Sequence, residues 1–100
     1  MKATVDGTVV AEADDNELVS IEGNWYFPPS SITDGALAES PTAYTCPWKG
    51  PAQYFSVVAD GTTHQDAAWS YPDLKPSAVE RVGQDFANYV AFDKRQVSVG

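Results

Sequence analysis

Gln53-Tyr54-Phe55-Ser56-Val57-Val58-Ala59-Asp60-Gly61-Thr62-Thr63-His64-Gln65-Asp66-Ala67-Ala68-Trp69-Ser70-Tyr71-Pro72 is the stretch that decides the fold. The run from Gln53 to Ala59 is rich in aromatic and β-branched residues, which suit a pleated, half-buried strand. Asp60-Gly61 is the dipeptide of a two-residue hairpin turn, whose central positions need positive φ. The chain then returns as a second strand from Thr62 to Tyr71. Pro72 stops it, because proline has no N–H to give to a ladder.

The same grammar runs outward on both sides. Upstream, Lys2 to Val5, the turn Asp6-Gly7 and Thr8 to Ala13 read as another hairpin. Asp14-Asp15-Asn16 is polar turn chemistry. Glu17 to Glu22 alternates polar and apolar, with Leu18 out of step, and ends in a turn at Gly23-Asn24. Trp25-Tyr26-Phe27 is extended and stops at Pro28-Pro29, since residues before proline are pushed out of the helical region. Ser30 to Ser40 reads as a loop crossing the body. Ala43 to Trp48 is a strand ending in the turn Cys46-Pro47-Trp48-Lys49.

Downstream lies the one good helix, near 77–86. Ser77 and Glu80 have the spacing of a capping box, and Val79, Val82 and Phe86 recur at helical spacing. Gly83 weakens or ends it. Tyr89 to Phe92, the turn Asp93-Lys94-Arg95 and Gln96 to Val99 read as a closing hairpin. The count is about eight short strands separated by Gly, Asp and Pro turns. The expectation is therefore a mainly β (α+β) single domain over 1–100. Its architecture would be coiled antiparallel sheets or a small open barrel. Strands and helices do not alternate, so a doubly wound α/β fold is not expected.

Composition narrows the function classes. The chain has 100 residues, 6 Lys and Arg against 14 Asp and Glu, and a net charge of −8. Phosphate contacts need clustered basic residues, so nucleic acid is not expected as a partner. An anionic membrane surface is not expected either. No segment approaches the roughly 20 apolar residues of a membrane span. One cysteine cannot make an internal disulfide, and with one histidine it cannot build a structural zinc site. A cytoplasmic location is the default expectation, and neither metal nor cofactor is implied.

Candidate chemistry gathers in two tracts. Cys46 and Lys49 bracket a turn with Pro47 at its second position, which would bring their Cα atoms within about 7 Å. Lys49 would then favour the Cys46 thiolate. The plainer reading of Cys46 is a small buried hydrophobe. Lys49 would bind an anionic ligand group as a point charge or sit over a tryptophan face; the plainer reading is an exposed turn lysine. Alternation puts Trp69 and Tyr71 on one strand face with Ala67. With Trp48, Tyr54 and Tyr26 these rings would form a stacking surface for a planar ligand, or simply core. Trp25 belongs to the same aromatic set. Asp66 and His64 sit two apart on one strand face and would suit acid–base work. Asp66 would otherwise pair with Lys49 or Arg81, or simply accept from backbone donors.

The residues Tyr26-Phe27-Pro28, Cys46-Pro47-Trp48-Lys49-Gly50, Tyr54, Asp66-Ala67-Ala68-Trp69-Ser70-Tyr71-Pro72, Pro76 and Val90-Ala91-Phe92 appear in the order seen in a known family. On them the chain resembles domain-of-unknown-function family 427, which carries the label nucleotidyltransferase. The resemblance implies a small, mainly β, bacterial-type cytosolic protein with a central pocket. The tail Asp93-Lys94-Arg95 departs from the further aromatics often found there, which touches only the rim of a pocket. The chain has no GxxxxGK[ST] or GxGxxG loop, and no Gly-Ser or paired-Asp motif of nucleotidyl transfer.

The leading expectation is a domain that binds an unidentified small molecule. Trp48, Tyr54, Trp69, Tyr71 and Tyr26 would line its pocket, with Lys49 and Asp66 as polar anchors. Two alternatives stand beside it. One is a thiol-dependent enzyme with Cys46 as nucleophile and Lys49 and Asp66 in support. The other is a non-catalytic module that forms a homodimer through open β edges.

Overall fold

The structure, a computed structural model, describes residues 1–100. It contains nine strands and one α-helix, arranged in three antiparallel sheets that do not close into a barrel. The strands are β1 (Lys2–Val5), β2 (Thr8–Glu12), β3 (Val19–Ile21), β4 (Asn24–Tyr26), β5 (Leu37–Cys46), β6 (Gly50–Ala59), β7 (Thr62–Ser70), β8 (Val90–Phe92) and β9 (Ser98–Val99). The helix α1 spans Pro76–Val82.

The largest sheet has the order β5-β6-β7-β8. Asp60 and Gly61 both take positive φ, 51° and 78°, as a two-residue hairpin with right-handed strand twist requires. Asp6 and Gly7 do the same between β1 and β2. Side-chain alternation then divides the interior in two. Phe55, Val57, Ala68, Val90 and Phe92 face one core with Val5, Val10, Phe27 and Val97. Ala52, Trp69, Tyr71 and Ala91 face the other, with Val19, Ile21, Tyr26, Cys46 and Phe86. All three residues of β8 are buried because both of its faces are covered. β4 is tied to this sheet by reciprocal bonds between Phe27 and Val90, each 2.8 Å. That tie carries the β3–β4 hairpin over the second core.

Several local expectations are corrected. The strand expected from Ala43 starts at Leu37, and β6 starts at Gly50 rather than Gln53. Glu39 and Ala43 flank an irregularity in β5, which hid the continuity of the strand. The helix ends at Val82, with Gly83 left-handed at φ 82°. Its N-cap is Lys75 with Pro76 at the first turn, so the Ser77–Glu80 box does not form. Phe86 is still fully buried, delivered by the turn after Gly83. The expected closing hairpin is absent: β9 pairs with β1 in the sheet β2-β1-β9, while β8 pairs with β7. The turn placed at Gly23-Asn24 is formed by Glu22 and Gly23, both at positive φ.

Candidate functional site

The β5–β6 hairpin turns through Pro47-Trp48-Lys49, and Cys46 pairs with Gly50 across it. The segment after Tyr71 clamps this turn from outside. The Lys75 N–H donates to the Lys49 carbonyl at 3.0 Å, and Lys75 Nζ donates to the Pro47 carbonyl at 2.9 Å. Gly50 has φ 120°, and a Cβ there would lie 2.7 Å from the Asp73 carbonyl oxygen. Only glycine allows so close an approach of the two chains. The consequence is that Lys49 points inward rather than into solvent.

Lys49 is 4 % exposed. Its Nζ lies 4.6 Å from the Trp48 ring centroid, 5.2 Å from that of Tyr71 and 3.8 Å from Cys46 Sγ. It donates to the Glu22 carboxylate in an ion pair. Burial works to lower the Lys49 pKa. The Glu22 hydrogen bond, with Tyr26 and Cys46 nearby, outweighs it and raises the value above that of an ordinary lysine. The ammonium in turn holds the Glu22 carboxyl below the ordinary carboxylate value.

These groups line a cavity of about 350 Å³. Its walls carry six aromatic rings, from Tyr26, Tyr44, Trp48, Tyr54, Trp69 and Tyr71. Tyr54 and Trp69 are cross-strand partners with centroids 6.2 Å apart and planes tilted by 46°. Trp69 Nε1 donates to the Tyr26 hydroxyl at 3.1 Å, which fixes both rings. Burial pushes the phenol pKa values of Tyr26, Tyr54 and Tyr71 upward, so these hydroxyls stay protonated. Arg81, from the last turn of α1, places its guanidinium 4.4 Å from the Trp48 ring centroid.

The structure therefore brings together Cys46, Lys49, Trp48, Tyr54, Trp69, Tyr71 and Tyr26 around one cavity. It leaves Asp66 out. Between the pairs Val57↔His64 and Phe55↔Ala68, β7 spends four residue steps where β6 spends two. Asp66 sits on that bulge in a left-handed conformation, φ 53°. Its carboxylate accepts from Thr42 Oγ1 at 2.6 Å instead of meeting Lys49 or Arg81. Hydrogen bonds from Ser40 and then Thr42 hold it below the ordinary carboxylate value. Alternation already puts Asp66 on the strand face opposite Trp69 and Tyr71, and the bulge does not bring it round, so the expected placement at the pocket mouth is corrected here. His64 Nε2 and Asp66 Oδ1 are shielded and have no hydrogen-bond partner, and the two side chains do not bond each other. Trp25 points away from the cavity and is 42 % exposed.

Three lining residues escaped sequence reading: Glu22, Asn24 and Tyr44. Tyr44 carried a usable signal, since it lies two residues before Cys46 on one strand face. Glu22 carried none, because its partner is 27 residues away in the chain. No group of three or more His, Cys, Asp or Glu side chains could hold a metal ion. No helix is long and apolar enough to cross a membrane.

Fold and site together define a mainly β antiparallel domain with an aromatic-walled cavity and a buried lysine at its floor. The chain belongs to the family described as a domain of unknown function, DUF427, whose model matches residues 1–100. Comparison with curated proteins finds no match.

Proposed function

We propose that this chain is a small-molecule-binding domain whose ligand occupies the cavity beneath the β3–β4 hairpin. One observation carries the reading: a buried ammonium opens onto a cavity of about 350 Å³ walled by aromatic rings. Small-molecule sites are typically cavities of about 300–1,000 Å³, mostly apolar, with a few convergent polar groups. Burying a lysine in a core costs free energy that a leucine or methionine would not incur. A binding role gives that residue a reason to be there. The planar walls favour a planar ligand through stacking. The test is calorimetric titration of the full chain with planar compounds, charged and neutral. Tryptophan fluorescence reports on Trp48 and Trp69. Saturable binding that Lys49→Met abolishes supports the reading. No saturable heat or fluorescence change with any compound refutes it.

A second reading rests on the 3.8 Å separation of Lys49 Nζ and Cys46 Sγ, both facing the cavity. In it Cys46 is a nucleophile with the ammonium beside its sulfur. Modification of Cys46 by iodoacetamide in the folded protein that slows markedly in Lys49→Met supports it. Modification that is absent in the folded protein, or unchanged in Lys49→Met, removes it.

A further inference from the structure

The polar lining of the cavity is unbalanced. Lys49 supplies a positive charge, and Tyr26, Tyr44, Tyr54 and Tyr71 supply hydroxyl donors. The only acid on the wall is Glu22. Glu22 occupies the left-handed turn of the β3–β4 hairpin, at φ 54°. Its side chain is 59 % exposed, whereas that of Lys49 is 5 % exposed. A solvent-facing carboxylate thus caps a buried ammonium. Glu22 regains water when it leaves Lys49, so another carboxylate can take its place on the ammonium at the cost of the Trp48 hydrogen bond to Glu22.

Building on the cavity as a ligand site, we propose that it takes an aromatic monocarboxylate. The ligand's carboxylate displaces Glu22 from Lys49, and its ring system lies among Trp48, Tyr54 and Trp69. Glu22 is then a gate held shut by the same charge that the ligand uses.

Four features select this class. The position on Lys49 already accommodates a carboxylate, that of Glu22. Lys49 is the only cation among the residues lining the cavity, and the Arg81 guanidinium lies over the Trp48 ring. One point charge matches one anionic group; polyphosphates are held by several cations, a metal or a glycine-rich loop. The chain's net charge of −8 further disfavours a polyanion. Finally, about 350 Å³ suits one or two fused rings and lies at the small end of ligand cavities.

The probe is 2-naphthoate, with its neutral isostere 2-naphthamide and inorganic phosphate as comparators. Each is titrated calorimetrically into the full-length chain and its Glu22→Gln and Lys49→Met variants, with folding checked by circular dichroism. The proposal expects 2-naphthoate to bind the unsubstituted chain, and 2-naphthamide to bind about tenfold more weakly or worse, for want of a charge-assisted bond. Glu22→Gln removes the internal competitor and should tighten 2-naphthoate by about fivefold, the upper end for an exposed ion pair. It should leave 2-naphthamide unchanged.

Equal binding of amide and acid, or no gain from Glu22→Gln, overturns the carboxylate gate while leaving the cavity a ligand site. Competition by inorganic phosphate at similar concentration overturns it in favour of phosphate ligands. Failure of every compound to bind both the unsubstituted chain and Glu22→Gln removes the cavity reading itself. Lys49→Met may be omitted if it does not fold, because Glu22→Gln alone decides the question.

Discussion

Replacing Gly50 with alanine should be among the most costly single-methyl additions to this chain. The added Cβ would sit 2.7 Å from the Asp73 carbonyl oxygen, a backbone atom that cannot rotate away. The residue must also hold φ 120°, which L-residues with a side chain rarely adopt. Such backbone strain costs on the order of 1–3 kcal/mol. Relieving the overlap means lifting the 73–75 segment, which stretches the 3.0 Å bond from the Lys75 N–H to the Lys49 carbonyl. A lost backbone hydrogen bond adds about 0.5–1.5 kcal/mol. The expected loss is roughly 2–4 kcal/mol, a large share of the ~5–15 kcal/mol that stabilises a domain of this kind. In urea unfolding followed by tryptophan fluorescence, the midpoint should fall by about 2 M, for a slope of ~1–2 kcal/mol/M. Gly35→Ala is the matched control. Gly35 also has positive φ, 77°, but nothing lies within 4 Å of its added Cβ. It should lose only about 1 kcal/mol, the ordinary cost of a left-handed alanine. Equal midpoints for the two variants would show that the clamp on the lysine turn is not tight, and would refute the reasoning.

Three other perturbations give distinct readouts. Tyr26→Phe removes the acceptor of the 3.1 Å bond from Trp69 Nε1 and should cost about 1 kcal/mol in urea unfolding. A red-shifted tryptophan emission should accompany it. Asp93→Asn tests a pH effect. Hydrogen bonds from Arg95 lower the Asp93 pKa to about 2 from the ordinary 3.8, so its contribution is present above pH ~4 and lost as pH falls through 2. Because Arg95 is 89 % exposed on its side chain, the substitution should cost no more than about 1 kcal/mol at pH 7, and that cost should shrink as pH falls toward and below 2. Asp66→Asn should leave ligand titrations unchanged, since the carboxylate lies on the β7 bulge outside the cavity; a changed affinity would reinstate it as part of the site.

Hairpins with Asp-Gly turns were legible in the chain because a two-residue turn is a local problem. Its φ requirements select residue types at adjacent positions, and alternation in β6 and β7 then sorts Val57 from Tyr54. The same local logic reached most of the cavity wall, since Cys46 and Lys49 share one turn and Trp69 and Tyr71 one strand face. Reading stopped wherever position depended on partners distant in sequence. The β7 bulge arises from mismatch with β6, and Asp66 sits on it outside the cavity. The pairing of β9 with β1 joins the two ends of the chain, and no short-range pattern encodes it.

A mainly β fold, its principal turns and the grouping of thiol, ammonium and rings follow from neighbouring residues alone. The identity of the carboxylate facing Lys49 does not. Glu22 reaches that ammonium only because the Phe27–Val90 bonds carry one hairpin over the face of another sheet. Local stereochemistry is written within a few residues, whereas an ion pair across 27 positions exists only after the sheets have packed.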